Sequence, residues 1–235
     1  MSLLVLQELT RFFGGISAAN HIDFSLEPAE LHCLIGPNGA GKSTVFKLVM
    51  GLLRPQSGQI LFDGREITRM QPYRRAGLGL SMKYQATRIF PNLSVAQNIH
   101  IACSRQAEKD GDMAWALERL GLSEQMGAVA SALSYGQQHW LEMCMVLGNC
   151  PRLVLMDEPT AGMTPEETHV TANFLRELNG RGMAVIVIEH DMNFVREIAR
   201  HVTVLHQGRI FCQGTFGEIE LNQHVQRIYL GESHD

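Results

Sequence analysis

Short continuous apolar runs and longer stretches with helical spacing alternate along this chain, and the two rhythms divide it into thirds. Leu3 to Leu9 and His21 to Leu26 carry strand-type apolar runs, and Leu31-His32-Cys33-Leu34-Ile35 predicts a buried strand that stops at Gly36. Val45, Leu48 and Val49 set a helical period over Lys42 to Gly51, with Gly51 placed as a C-terminal stop. Gly58 to Phe62 predicts a further strand, ended by the turn dipeptide Asp63-Gly64.

The middle, from about Asn92 to Leu147, is helical in spacing, with candidate helices at Val95 to Ala102, Met113 to Leu120 and Gln137 to Leu147. The last is apolar almost all round through Trp140, Leu141, Met143, Met145, Val146 and Leu147, which predicts burial. The final third returns to alternation. Leu153 to Met156 and Ala184 to Ile188 predict buried strands, and Pro165 to Leu178 a helix capped by Thr164. Asp191 to Arg200 predicts an amphipathic helix, and Gln207-Gly208 a hairpin turn between His201 to His206 and Arg209 to Cys212. Strands alternating with helices predict an α/β fold with a mainly parallel sheet, an antiparallel β region at the N-terminus and an inserted helical subdomain. We expect one domain over 1–235, with a core of about 1–85 and 151–235 and the helical subdomain at 86–150.

Composition changes this picture little. The 235 residues are 45% hydrophobic and 19% charged, as in an ordinary globular protein able to bury a core. A net charge of -4 gives no basic footprint, so no nucleic-acid partner is expected. The five cysteines, Cys33, Cys103, Cys144, Cys150 and Cys212, form no CxxC pair and read as small buried hydrophobes of a reducing compartment. The N-terminus lacks a basic leader, and no apolar stretch reaches 18 residues, so any membrane role is expected to come through a partner.

Two motifs carry chemistry. Gly36-Pro37-Asn38-Gly39-Ala40-Gly41-Lys42-Ser43 fits G-x-x-x-x-G-K-[ST] and lies between a buried strand and a helix, the context of a phosphate-binding loop. Glycines at 39 and 41 let the backbone wrap an anion closely, and the helix N-terminus faces it with N–H groups. Lys42 is expected to reach the β and γ phosphates and Ser43 to ligate Mg²⁺, with Thr44 completing the cradle. The strand Leu153 to Met156 then delivers Asp157 and Glu158 at its C-terminal end, where α/β folds bind ligands. Asp157 is expected to hold Mg²⁺ through water, and Glu158 to act as general base on the attacking water.

These motifs fit several classes of P-loop NTPase. Leu133-Ser134-Tyr135-Gly136-Gln137 selects among them: it resembles the LSGGQ signature of the ABC ATPase family, with tyrosine in place of a usual glycine. The resemblance covers essentially the whole chain. It implies ATP hydrolysis with Mg²⁺, and ATP held between two subunits, with Ser134, Gly136 and Gln137 meeting the nucleotide on the partner's phosphate loop. It further implies that Phe13 stacks on adenine, that Gln85 contacts Mg²⁺, and that His190 contacts the γ-phosphate as a switch. Ala161-Gly162-Met163-Thr164 takes the place of a dimer-contacting loop that usually ends in aspartate.

Finer likenesses narrow the transport class. Phe13-Gly14-Gly15, Glu158 to Met163, Glu189 to Met192 and the tail Tyr229-Leu230-Gly231-Glu232 are similar to the branched-chain amino acid importer subgroup. Ser134 to Glu142 and Ala161 to Thr168 are similar to its urea/amide branch. The resemblance implies a second ABC ATPase subunit, identical or paralogous, and separate transmembrane permeases. It also implies an indirect solute-binding protein and a peripheral place on the inner face of the cell membrane. Arg88 to Leu93 is expected to form the docking lip, with Ile89, Phe90 and Leu93 exposed. A lipopolysaccharide-export-type ATPase and a soluble, non-transport ABC ATPase are the alternatives.

Overall fold

The computed structural model describes residues 1–103 and 111–230. Two sheets organise it. The first is antiparallel, in the order β2-β1-β4-β5, built from β1 (Leu4–Phe13), β2 (Ile16–Leu26), β4 (Ser57–Phe62) and β5 (Arg65–Glu66). β1 and β2 run further than their apolar runs predict, because Gly14 takes a φ of 55° and closes them into a long hairpin.

The second sheet runs β10-β9-β3-β8-β7-β6, from β3 (Leu31–Ile35), β6 (Leu80–Lys83), β7 (Leu153–Asp157), β8 (Ala184–Ile188), β9 (His201–His206) and β10 (Arg209–Thr215). All neighbours in it are parallel except the hairpin β9–β10, whose turn residues Gln207 and Gly208 both take positive φ as the dipeptide predicts. Both faces of the parallel strands are covered, which explains their unbroken apolar runs. Leu34, Leu155 and Ile186 face the first sheet and α1 (Lys42–Val49), while Cys33, Val154 and Val185 belong to the core on the helical side.

Between β6 and β7 lie α3 (Val95–Ala102), α4 (Asp112–Arg119) and α5 (Tyr135–Val146). α6 (Pro165–Gly180), α7 (Met192–Ile198), α8 (Phe216–Glu220) and α9 (Gln223–Leu230) follow the later strands. A short α2 (Pro72–Ala76) precedes β6. Neither α2 nor β6 is evident from periodicity. The burial expected for the apolar helix is corrected: Trp140, Met145 and Val146 of α5 are only half-buried, and its hidden side includes the polar His139 and Glu142. Ile89 and Leu93 are half-buried too, leaving Phe90 as the exposed member of that trio. Among the described residues no helix is long and apolar enough to cross a membrane.

Candidate functional site

The phosphate loop follows β3 directly. Gly36, Gly39 and Gly41 take φ values of 147°, 80° and 105°, a region closed to most side chains. A Cβ on Gly36 would lie 2.1 Å from the Leu205 carbonyl oxygen, and one on Gly41 2.0 Å from that of Ala18. Gly39 is different: a Cβ there meets nothing within 4 Å, so its requirement is conformational. Pro37 accepts the Ala40 N–H at 3.2 Å, Asn38 is exposed, Ala40 is buried and Thr44 is half-buried. The loop then enters α1, where Val45 closes the first turn onto the Gly41 carbonyl at 3.0 Å.

The far end of α1 is held by a residue that sequence reasoning missed. Arg75, 1% exposed, donates to the carbonyls of Leu48 (2.8 Å), Val49 (2.6 Å), Thr68 and Met70 (3.0 Å each), satisfying the helix's last acceptors. Burial pushes its guanidinium down to about 10. Only a tertiary view reveals this, since a lone arginine in a polar stretch carries no signal.

Lys42 is buried, and its Nζ donates to the carbonyls of Gly36 (2.6 Å) and Pro37 (3.0 Å). Burial lowers its ammonium, against the pull of Glu158 and Asp157. The Ser43 hydroxyl donates to Asp157 Oδ1 at 3.3 Å. Burial raises Asp157, while that hydrogen bond and Lys42 oppose the shift. Glu158, one residue past β7, sits at a φ of 47°, a strained value for a glutamate and of the kind that collects at functional sites. Its N–H donates to Ile188 at 3.0 Å, its Oε2 accepts from Gln85 Nε2 at 2.7 Å, and His190 Nδ1 lies 3.8 Å from its Oε1. The buried Glu189 carboxylate ties the turns together, accepting from Thr160 N–H (3.2 Å), Thr160 Oγ1 (2.6 Å) and His190 N–H (3.1 Å).

Lys42, Ser43, Gln85, Asp157, Glu158 and His190 therefore converge. Phe13 stands at the end of the β1–β2 hairpin, whose Ala18 abuts the loop. It is 40% exposed, with the Arg11 guanidinium 4.8 Å from its ring centre. Ser134, Gly136 and Gln137 occupy a separate place at the start of α5. There Gln137 closes a capping box, its N–H donating to Ser134 Oγ at 3.2 Å and its Oε1 accepting from Ser134 N–H at 3.0 Å. A Cβ on Gly136 would lie 2.3 Å from the Glu167 carboxyl carbon. Among the described residues, no hydrogen bond or ion pair joins this place to the phosphate loop. Thr164 caps α6 through its own box with Glu167. Of the tail, the Tyr229 hydroxyl is buried and pushed up to about 12, with the Gly36 N–H opposing; Gly231 and Glu232 lie outside the described residues.

The site fits a nucleoside triphosphate with Mg²⁺. Its ammonium is partnered by two loop carbonyls beside a left-handed glycine loop, and its hydroxyl and carboxylates are the hard oxygen donors that Mg²⁺ takes.

His139 adds a pH dependence. It is fully buried on α5, and burial first, then the Lys83 ammonium, push its imidazole down to about 4, against the Pro159 carbonyl. The unfolded chain therefore binds a proton below pH ~6.5 that the native ring refuses, and stability falls as pH drops from there towards 4. In His139→Gln that loss is removed: the stability difference between variant and parent should change with pH by at most ~1.4 kcal/mol per unit across this window. The raised carboxylates Glu142 and Asp157 act in the opposite sense but are present in both proteins. Parallel urea-midpoint profiles would remove His139 from this linkage.

Comparison with known proteins agrees with the geometry. The ABC transporter family profile matches residues 19–161. The chain is 34% identical to the high-affinity branched-chain amino acid transport ATP-binding protein LivG of Escherichia coli (strain K12), over 98% of each chain. Among solved structures, it resembles the ADP conformation of MJ1267, an ATP-binding cassette of an ABC transporter (TM-score 0.90, 26% identity, 99% of this chain and 100% of that one). It also resembles cbiO1 of Clostridium perfringens, part of the ABC transporter complex cbiONQ (TM-score 0.83, 28% identity, 97% and 95%). The chain belongs to the ABC transporter ATP-binding family. It is an ATPase of the kind coupled to transport.

Proposed function

We propose that this chain powers uptake of a small polar solute, of the branched-chain amino acid or urea/amide type, through separate permeases. The observation that carries this reading is the 34% identity with LivG along 98% of both chains, LivG's own name specifying branched-chain amino acids. In this reading the core is 1–85 with 151–235, the helical subdomain is 86–150, and two such ATPase subunits, identical or paralogous, enclose ATP. Ser134, Gly136 and Gln137 of one subunit serve the nucleotide on the other. The chain sits on the inner face of the membrane through its permeases, docked at the lip Arg88 to Leu93, of which Arg88 and Phe90 are exposed.

The chemistry follows from residue placement. Ser43, Gln85 and Asp157 would hold Mg²⁺, which would supply charge neutralisation on the phosphates. Gly36 to Ser43 and Thr44 offer backbone and side-chain donors to the phosphates, and Phe13 supplies a ring face for adenine. Lys42 exchanges its two loop carbonyls for phosphate oxygens, a stronger charge-assisted pairing. Glu158 takes a proton from water at its carboxylate, with Gln85 orienting one oxygen and His190 placed near the other for contact with the γ-phosphate.

Affinity capture of the tagged chain from gently extracted native membranes tests the reading. Two permeases and a second ATPase should co-purify, and deleting the chain should abolish uptake of the solute its binding protein recognises. Recovery with lipid-export components, or with ribosomes and no membrane subunit, would overturn it.

A further inference from the structure

Beneath the hydrolytic site lies a buried charged cluster to which the chemistry above assigns no task. Lys83, the last residue of β6, is 0% exposed, and Glu142 of α5 is 3% exposed. Lys83 Nζ donates to the Tyr84 carbonyl at 3.0 Å and lies 3.5 Å from Glu142 Oε2. That oxygen has no hydrogen-bond partner among the described residues, so the ion pair is its main compensation. Tyr84, Arg88 and Glu142 line one cavity, where the Arg88 guanidinium lies 3.6 Å from the Tyr84 ring centre. Gln85, next to Tyr84, is the residue that donates to Glu158.

We propose that Lys83 and Glu142 are positioning residues: their buried pair fixes the Gln85 segment on α5, the helix whose N-terminus carries Ser134 and Gly136, so that Gln85 meets Glu158. The arrangement joins the two halves of the nucleotide machinery within one chain. A shift of α5 moves Glu142, Glu142 moves the strand end at Lys83, and the hydrogen bond from Gln85 to Glu158 moves with it.

Energetics separate positioning from simple stabilisation. A long buried ion pair is a weak stabiliser, because desolvating both charges offsets their attraction, and well-packed apolar replacements often match it. Burial does work against both partners here, lowering Lys83 and raising Glu142, while the backbone amides of Arg88 and Tyr84 favour the Glu142 carboxylate. The geometric tie to the segment is Lys83 itself, which donates to the Tyr84 carbonyl next to Gln85 while facing Glu142. Lys83 pairs in register with Met156, the residue before Asp157, which sets it beside the end of the catalytic strand.

The inference rests on the roles proposed for Gln85 and Glu158, and the test separates the two. Purified protein is compared with Glu142→Gln and with Lys83→Met/Glu142→Leu for thermal midpoint, KM for ATP and kcat. Gln85→Ala is run alongside. Both variants should bind ATP with unchanged KM while kcat falls roughly tenfold or more, as expected when a reacting group is displaced by a fraction of an ångström. The double variant should also keep its thermal midpoint. A purely structural pair predicts the reverse, with normal kcat per folded molecule in the double variant. Wild-type kcat in Glu142→Gln, which keeps the shape of the side chain, overturns the positioning role while a slow Gln85→Ala leaves the catalytic reading standing. Wild-type kcat in Gln85→Ala overturns the role on which the proposal depends.

Discussion

Glu158→Gln should bind ATP as the parent does and turn it over roughly two or more orders of magnitude more slowly, the loss expected when a general base is removed. The substitution is isosteric, so the strained turn at a φ of 47° and the Glu158 N–H bond to Ile188 persist. What changes is the atom that receives the proton. The parent presents one carboxylate oxygen to Gln85 at 2.7 Å and the other towards His190. An amide oxygen in the same place is a far weaker base, and its NH₂ opposes the Gln85 donor. Because no binding contact is removed, the effect should fall on kcat and leave KM in place. ATP titration with a fluorescent analogue, followed by phosphate release under saturating ATP, reads the two quantities separately. Normal turnover would take Glu158 out of the base role.

The sequence makes the phosphate loop and the acidic strand end legible because their requirements are local. Positive φ at Gly36, Gly39 and Gly41 is written in glycine, and two carboxylates after a four-residue apolar run mark a strand end by themselves. The reason for glycine was only half legible: at Gly41 the obstacle is the Ala18 carbonyl of a distant hairpin, not the ligand alone. β6 escaped notice because Leu80-Ser81-Met82-Lys83 ends in a charge and follows Gly77 and Gly79, which read as loop. Its lysine is buried only because Glu142, 59 positions later, meets it, and no window along the chain spans that distance. Arg75 is hidden for the same reason, its partners being carbonyls that α1 leaves open. Gln137 shows the converse: a residue selected by motif alone spends its side-chain oxygen on capping its own helix. Local rules thus found the ligand-facing backbone, and the groups that hold it in place needed the fold.

Lys42→Ala should abolish nucleotide binding or hydrolysis while leaving the empty protein folded. The ammonium is the one cation built into the loop, and it is buried against two carbonyls rather than a carboxylate. Those neutral partners compensate its desolvation poorly, which is why burial holds its proton affinity below the usual lysine range. A group with a lowered lysine value costs the folded state stability wherever it is charged, so its removal carries no penalty of that kind. The two carbonyls lose a donor, worth about 1 kcal/mol each. The gain and the loss oppose each other, and the thermal midpoint without nucleotide should move by only about 2–4 °C per kcal/mol of imbalance. Phosphate binding has no such compensation, since nothing replaces the charge-assisted donor facing the β and γ oxygens. Calorimetric scans with and without Mg-ATP should therefore show the parent rising with nucleotide and the variant unmoved. An unchanged ATP affinity and rate in Lys42→Ala would refute the assignment, and a variant that unfolds without nucleotide would show that the lysine supports the loop instead of waiting for the phosphate.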